Sequence, residues 1–210
     1  MNRPFFFSTK WVVALGLASL GLLPAGAQTG YPDNVVVVID ASGSMKNNMS
    51  GTGQSRMAVA KRALKEVLGQ IPENTHIGIL VFPDGWVYPL GPRNDSRLIQ
   101  AIDRPQARGG TPLGEFMKKG ADRLLEARKK QLGYGTYRLL VVTDGEAGDQ
   151  GLVDQYTPDI MSRGVTVDVI GVDMRSKHTL ATRVHSYRSA DDPESLRKAI
   201  SEVFAEVSAG

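Results

Sequence analysis

The feature that most constrains the fold of this chain is a run of five consecutive aliphatic residues within segment 34–40. A strand of this kind has no polar side to face water, so it must be covered on both faces. Similar apolar runs occupy 76–82, 137–144 and 166–172, and segments with helical spacing separate them. Buried strands that alternate with amphipathic helices are typical of a layered α/β fold with a mostly parallel sheet.

The remaining elements follow from periodicity and from capping and turn residues. The turn at Pro83-Asp84-Gly85 predicts a hairpin whose second strand, 86–90, is an antiparallel edge strand. Segment 41–55 is rich in Gly, Ser and Asn and is interpreted as a loop too polar for the core. Neither an internal repeat nor a linker is evident, which indicates one domain. Helices are predicted at 57–71, 94–102, 113–133 and 153–163, with a last one starting at 191–194.

The first 27 residues have the features of a secretory signal. Two basic residues, Arg3 and Lys10, precede a 13-residue apolar run at 11–23, and small residues follow at Ala25 and Ala27. The run is too short to span a bilayer, which takes about 20 residues. We therefore expect cleavage after Ala27 and a mature domain at 28–210 without a membrane span, either secreted or periplasmic.

Composition excludes several classes of function. The chain contains no cysteine, which excludes disulfides, thiolate metal sites and a cysteine nucleophile, and which favours a bacterial envelope over a disulfide-rich secretome. Its three histidines, His76, His178 and His185, lack metal-ligand spacing. Removing the two basic residues of the leader from 25 basic and 22 acidic residues leaves a charge of +1, too little to attract nucleic acid.

Oxygen-bearing side chains follow the buried strands where these strands end. Asp40 ends the first strand, and Ser42 and Ser44 follow at alternate positions. Asp144 ends a later strand, and Thr111 stands just before a helix. The carboxyl ends of parallel strands share one edge of a sheet, and ligands bind there at the point where strand order reverses. Five oxygen donors without nitrogen or sulfur suit Mg²⁺, with Mn²⁺ or Ca²⁺ as alternatives.

In these residues the sequence resembles the von Willebrand factor type A domains that carry a metal-ion-dependent adhesion site. The motif D-x-S-x-S…T…D is complete, and the resemblance covers about 31–207. It implies a doubly wound, Rossmann-like sheet with one antiparallel edge strand and helices on both faces. It also implies that Ser42 and Ser44 ligate the ion directly, that Thr111 does so when a partner is bound, and that Asp40 and Asp144 act mainly through water. A partner's Asp or Glu carboxylate would complete the shell.

The residues beside the motif are candidates for partner contact. Lys46 and Asn47 follow Ser44, and Glu146 follows Asp144, so all three are predicted to help set partner preference. Glu146 and Asp149 are otherwise interpreted as solvated loop acids. Met45 and Met49 fit either adaptable contacts or plain packing.

Two function classes remain open at this stage. The favoured one is a binding module that is not an enzyme and that holds an acidic side chain of a partner protein through the ion. The alternative is a metal-dependent phosphatase of the haloacid-dehalogenase type, in which Asp40 would be the nucleophile. Segment 144–149 resembles the acidic motif of that family, but Ser42 stands where it needs its second acid.

Overall fold

The computed structural model describes Met1 and residues 30–174 and 176–208. The predicted leader, residues 1–27, lies outside the described residues apart from Met1. In the described part the strands and helices follow in the order β1 (Asn34–Asp40), α1 (Arg56–Leu68), β2 (His76–Phe82), β3 (Gly85–Pro92), α2 (Asp95–Asp103), α3 (Leu113–Lys130), β4 (Tyr137–Thr143), α4 (Gln150–Ser162), β5 (Thr166–Val172), β6 (Ser186–Ala190) and α5 (Pro193–Ser208).

The strands form one six-stranded sheet in the order β3-β2-β1-β4-β5-β6. Every neighbouring pair is parallel except β2 and β3, so β3 is an antiparallel edge strand. The chain builds outward from β1 in one direction and then from β4 in the other. The strand order therefore reverses between β1 and β4, which makes that boundary the expected ligand position of a doubly wound sheet. The predicted fold class is confirmed.

Two helical layers bury the two faces of the sheet. Along β1, Val35, Val37 and Ile39 pack into one core with residues of α1, α2 and α5, whereas Val36 and Val38 pack into the other with α3 and α4. All seven residues of β1 are buried, as its unbroken aliphatic run predicts. Because both cores lie within residues 35–204, we expect 28–210 to fold independently.

The loop prediction for 41–55 needs a correction. A 3₁₀ turn at Gly43–Lys46 and an isolated bridge between Asn48 and Ser55 structure this segment. Met45 and Met49 are fully buried in the core beneath it, so packing is their role. Two long apolar side chains thus anchor a segment that composition alone assigned to solvent.

Other differences lie at the edges of elements. The edge strand β6 was not predicted, because its sequence, Ser-Tyr-Arg-Ser-Ala, has no apolar run and its residues are mostly half-buried. Helix α1 ends at Leu68 rather than 71, and α4 begins at Gln150 rather than 153. No helix among the described residues is long and apolar enough to cross a membrane.

Candidate metal centre

Asp40 is the buried foundation of the site. It ends β1 with no exposed surface, and both of its carboxylate oxygens accept hydrogen bonds. The backbone N–H of Ser42 donates to Oδ1 at 2.7 Å, and the hydroxyl of Thr143 donates to Oδ2 at 2.7 Å. Burial raises the pKa of Asp40, and the charge of Asp144 raises it further, whereas the hydrogen bonds from Ser42 and Thr143 lower it. Asp40 thereby fixes the turn that presents Ser42.

Three oxygens form a continuous chain beside Asp40. The hydroxyl oxygens of Ser42 and Ser44 are 2.9 Å apart, and the Ser44 hydroxyl donates to Asp144 Oδ1 at 2.8 Å. Neighbouring oxygens in an octahedral shell around Mg²⁺ lie about 3.0 Å apart, since each is about 2.1 Å from the ion. The spacing of the Ser42 and Ser44 hydroxyls therefore fits two neighbouring ligands of a small, hard divalent cation, and Asp144 Oδ1 lies within hydrogen-bonding distance of Ser44.

Backbone hydrogen bonds bring the loop of Thr111 to the same edge. The N–H of Gly43 donates to the carbonyl of Gly109 at 3.0 Å, which ties this loop to the serine turn. The N–H of Gly148 donates to the carbonyl of Thr111 at 2.8 Å, which ties it to the loop after Asp144. Thr111 is half-buried between the two, and within the described residues its hydroxyl makes no hydrogen bond. All five predicted ligands thus lie in three loops that dock on one another.

Arg56 is a residue of this site that sequence reasoning missed. Its Nη1 donates to Asp144 Oδ2 at 2.8 Å, and its Nη2 and Nε donate to Asp173 Oδ2 at 2.9 and 3.0 Å. Burial of Arg56 lowers its pKa, but the bonds to Asp144 and Asp173 outweigh this and raise the pKa overall. The guanidinium therefore binds Oδ2 of Asp144 and leaves Oδ1 to accept the hydrogen bond from Ser44.

Two sequence signals could have identified Arg56 and Thr143, the residue that precedes Asp144. Arg56 opens α1 directly after the N-cap Ser55, where the helix dipole disfavours a positive charge, so a basic residue there indicates an acidic tertiary partner. Thr143 is a buried residue with a hydroxyl that directly follows four buried aliphatic residues, 139–142. A buried hydroxyl needs a hydrogen-bond acceptor, and here the acceptor is Asp40.

The three candidate partner contacts occupy different positions around the site. Lys46 and Asn47 are exposed at the end of the 3₁₀ turn, and Asn47 borders a groove of about 550 Å³ that Arg56 and Asp173 also line. Glu146 accepts hydrogen bonds from the N–H and hydroxyl of Thr179, at 3.0 and 2.8 Å. Glu146 is therefore held against the next loop.

The interpretation of Asp149 as a solvated loop acid was wrong. Its two carboxylate oxygens accept hydrogen bonds from the backbone N–H groups of Gly114 and Glu115, each at 2.9 Å. Asp149 thus caps the N-terminus of α3, where Pro112 supplies no side-chain cap. The cap joins the loop after Asp144 to the helix that follows Thr111.

The donor set is distinctive in its chemistry. Among the described residues no group of three or more His, Cys, Asp or Glu side chains could hold a metal. The candidate site instead consists of two carboxylates and three hydroxyls, a donor set that suits a hard cation that keeps some of its water. The fold and this site together define a doubly wound α/β domain with a metal-ion-dependent adhesion site.

The comparisons with known proteins agree with this class. The family model of the von Willebrand factor type A domain matches residues 34–205, and the chain belongs to that family. Among curated proteins, the uncharacterized protein YwmC of Bacillus subtilis is 24% identical over 162 residues, which cover 69% of this chain and 68% of that protein.

Solved structures share the fold at low sequence identity. The pilus adhesin SpaC of Lactobacillus rhamnosus GG has a TM-score of 0.70 at 16% identity, over 86% of this chain and 31% of that one. Proximal thread matrix protein 1 of the mussel byssus has a TM-score of 0.66 at 18% identity, over 85% and 46%. The manganese-loaded TRAP protein of Plasmodium vivax has 0.59 at 14% identity, over 83% and 74%. The chain therefore spans less than half the length of the adhesin and the mussel protein.

Proposed function

We propose that this chain is an exported binding module that holds an Asp or Glu side chain of a partner protein through a divalent cation, with Mg²⁺ as the physiological ion. The observation that carries the proposal is the chain of oxygens from Ser42 through Ser44 to Asp144, spaced at 2.9 and 2.8 Å at the point where strand order reverses. When bound, the ion would supply a Lewis-acidic position for an external oxygen.

The residues around that position would divide the work. Ser42, Ser44 and Thr111 would hold the ion through hydroxyl oxygens, whereas Asp40 and Asp144 would orient its water. The charges of the two carboxylates balance a divalent ion, and Arg56 balances Asp173, to which it is bonded at 2.9 Å. A carboxylate of the partner thus meets a site of about zero net charge rather than a repulsive one.

The surroundings of the ion would set the choice of partner. Lys46 and Asn47 project from the rim, and the groove beside Asn47 has room for side chains that flank the partner's carboxylate. Glu146 would contribute only through the exposed part of its side chain, because Thr179 already donates hydrogen bonds to both of its carboxylate oxygens.

The comparisons support a binding role in general terms. One neighbour is a pilus adhesin, another is a thread matrix protein whose adhesion motif is described with zinc bound, and a third is described as manganese-loaded. Export is our proposal from the leader sequence: a basic start, an apolar run and small residues before Gln28.

The geometry of Asp40 argues against the phosphatase alternative. A nucleophilic carboxylate must present an oxygen to its substrate. Asp40 has no exposed surface, and each of its oxygens already accepts a hydrogen bond. Ser42 donates its backbone N–H to Asp40, and the second acid needed for proton transfer is missing at that position.

Peptide binding with matched isosteres tests the proposal. An array of peptides with a central Asp or Glu, paired with the same peptides carrying Asn or Gln, is incubated with residues 28–210 in Mg²⁺ and in chelator. We expect binding to some acidic peptides, loss of binding to their amide counterparts, and loss of all specific binding in chelator. Binding that survives both changes would contradict a metal-held carboxylate.

A further inference from the structure

Three exposed apolar side chains cluster where the parallel strands begin, at the amino edge of the sheet, which lies opposite the metal centre. Tyr31 precedes β1, and Leu132 and Tyr134 lie in the loop before β4; we call these three residues the amino-edge patch. Their exposed fractions are 47%, 78% and 62%. The rings of Tyr31 and Tyr134 stack at 5.0 Å between centroids and 9° between planes. The patch and the metal centre lie about 20 Å apart, the length of a seven-residue strand.

Side-chain hydrogen bonds hold the loop that carries the patch in place. Gln131 is buried, and its Nε2 donates to the carbonyls of Pro32 and Tyr134 at 2.8 and 3.1 Å. Asn34 donates to Gln131 Oε1 at 2.9 Å. The two segments that display the tyrosines are thus cross-linked, so the exposed side chains are held in place by the fold.

Leucine is unfavourable at position 132 because of both its exposure and its backbone conformation. It is a large apolar residue with 78% of its surface exposed to water, and its backbone has φ of +54°, a region that favours glycine. The next residue, Gly133, also has a positive φ. The positive φ belongs to the turn that ends α3, in which the N–H of Gly133 donates to the carbonyl of Arg128 at 2.9 Å. The exposure of Leu132 next to two exposed tyrosines is what indicates a contact surface.

We propose that the amino-edge patch docks on an anionic membrane surface. Lys129 and Lys130 end α3 immediately before the patch, both are exposed, and neither forms an ion pair within the part of the chain that the structure describes. Stacked tyrosines and a leucine with unpaired lysines beside them match the composition of an interfacial site, in which apolar side chains enter the headgroup region and lysines meet lipid phosphates.

Two further observations favour a membrane over a protein partner. Three side chains form a much smaller patch than the ~800 Å² per partner that a stable protein interface requires. The apolar run at 11–23 also joins the domain here, because only seven residues separate Leu23 from Tyr31. Before the expected cleavage, a leader held in the export membrane would therefore keep this edge of the domain near the bilayer.

Vesicle binding tests this inference independently of the metal site. Residues 28–210 lack the apolar run, so their binding to vesicles reports on the domain itself. We expect co-sedimentation with phosphatidylcholine vesicles containing one third phosphatidylglycerol, weaker binding to pure phosphatidylcholine, and no change in chelator or in Ser42→Ala/Ser44→Ala. Loss of binding in chelator would assign the lipid contact to the metal centre and overturn the proposal.

The variant Leu132→Gly separates docking from folding. Glycine accepts the positive φ, so the variant should melt at the same temperature or higher, whereas vesicle binding should fall about tenfold with the loss of one buried leucine. Lys129→Ala and Lys130→Ala should each weaken binding about fivefold and reduce its salt dependence. Ile99→Ala, which removes an exposed side chain of α2, is the matched control and should bind like the wild type.

Three further results would overturn the proposal. The first is wild-type protein that does not bind the anionic vesicles, and the second is Leu132→Gly that binds them undiminished. The third is a dimer in sedimentation velocity that Leu132→Gly dissociates, which would assign the amino-edge patch to a second copy of this chain.

Discussion

At the scale of single residues, Arg56 places a positive charge beside the proposed metal ion. Its guanidinium, whose side chain is 18% exposed, is paired at 2.8 Å with Asp144, the carboxylate that we propose orients the water of the ion. The ion and Arg56 would therefore share the charge of one carboxylate. We infer that Arg56 stabilises the metal-free domain and at the same time moderates its metal affinity.

The variant Arg56→Gln tests this sharing. It should lower the stability of the metal-free protein by about 2 kcal/mol, because Asp144 and Asp173 lose their charged partner. For a domain of this size that corresponds to a fall in Tm of ~4–8 °C. The rise in Tm on adding Mg²⁺ should be larger than in the wild type, since the ion becomes the only cation at Asp144.

The control for this experiment is Arg62→Gln on the exposed side of α1, where Arg62 and Glu66 are 4.0 Å apart. It should measurably change neither the stability of the metal-free protein nor the rise in Tm on adding Mg²⁺. A smaller metal-dependent rise in Arg56→Gln than in the wild type would contradict the shared carboxylate and would mean that Arg56 orients Asp144 for the ion.

A second prediction at this scale concerns His178, which sequence reasoning left without a role. Its Nδ1 accepts a hydrogen bond from the N–H of Leu180, and its side chain is fully buried next to Glu146. Burial lowers the pKa of His178, although Glu146 opposes this. The unfolded chain therefore takes up a proton more readily than the folded one, so stability is full above the ordinary histidine pKa of about 6.5 and is lost as pH falls below it.

Substitution by asparagine isolates the contribution of His178. Asparagine can keep the cap on Leu180 but does not titrate. Thermal melts between pH 7.5 and 5.5 should show a smaller decrease in Tm for His178→Asn than for the wild type. The remaining decrease includes His76, whose pKa burial also lowers. Parallel melting curves in the two proteins would refute the prediction.

At the scale of elements, the contact between the starts of α3 and α4 positions Thr111. A Cβ added at Gly114 would lie 2.6 Å from the backbone nitrogen of Val153, so the two helices touch there through backbone atoms. The cap from Asp149 and the bond from Gly148 to Thr111 act at the same place. The placement of Thr111 therefore depends on glycine at 114.

Two alanine variants form a matched pair for this contact. Gly114→Ala should destabilise the domain by about 1–3 kcal/mol, because it forces α3 and α4 apart. Gly151→Ala lies in α4, where an added Cβ meets nothing within 4 Å, and it should stabilise by about 0.5–1 kcal/mol. Chemical denaturation measures both. Equal effects in the two variants would exclude the close contact as the cause.

The sequence predicted what long apolar patterns determine and missed what single polar contacts determine. The run in β1 was sufficient to predict a covered central strand, and the endings of β1 and β4 were sufficient to predict the positions of Asp40 and Asp144. Strand β6 lacked such a pattern. Its Arg188 instead forms ion pairs with Glu202 and Glu206 of α5, contacts between distant residues that local periodicity does not encode.

The site residues divide in the same way. The positions of the candidate ligands could be predicted because the D-x-S-x-S segment is local and Asp144 follows the strand next to it. The pairing of Arg56 with Asp144 joins residues 88 positions apart, and the capping of α3 by Asp149 joins residues 35 positions apart. Such pairs depend on how loops dock, which becomes visible only in the folded chain.

At the scale of the whole molecule, the two edges of the sheet carry two different surfaces. The carboxyl edge carries the candidate metal centre, and the amino edge carries the exposed tyrosines and Leu132. A domain docked on a membrane by its amino edge would present its metal centre outward, about 20 Å farther from the bilayer. Both proposals are thus compatible with one orientation of the molecule.

Export of the full chain is the prediction that belongs to this scale. Expression of residues 1–210 in a Gram-negative host should yield protein in the periplasmic fraction whose mass matches a chain starting at Gln28. Replacement of Ala25 and Ala27 by lysine should block cleavage, because the processing site requires small residues. Full-length protein that stays in the cytoplasm without loss of the leader would contradict the prediction.

Calorimetric titration of Mg²⁺ and Mn²⁺ into residues 28–210 tests the central claim most directly. The wild type should bind one ion per chain, and Ser42→Ala/Ser44→Ala should not bind while melting at a similar temperature. Ser162→Ala removes a hydroxyl at the end of α4 whose one hydrogen bond among the described residues goes to the carbonyl of Asp159, and it should bind like the wild type. Undiminished binding in the double variant, or no binding by the wild type at millimolar metal, would contradict the claim that these hydroxyls hold a divalent cation.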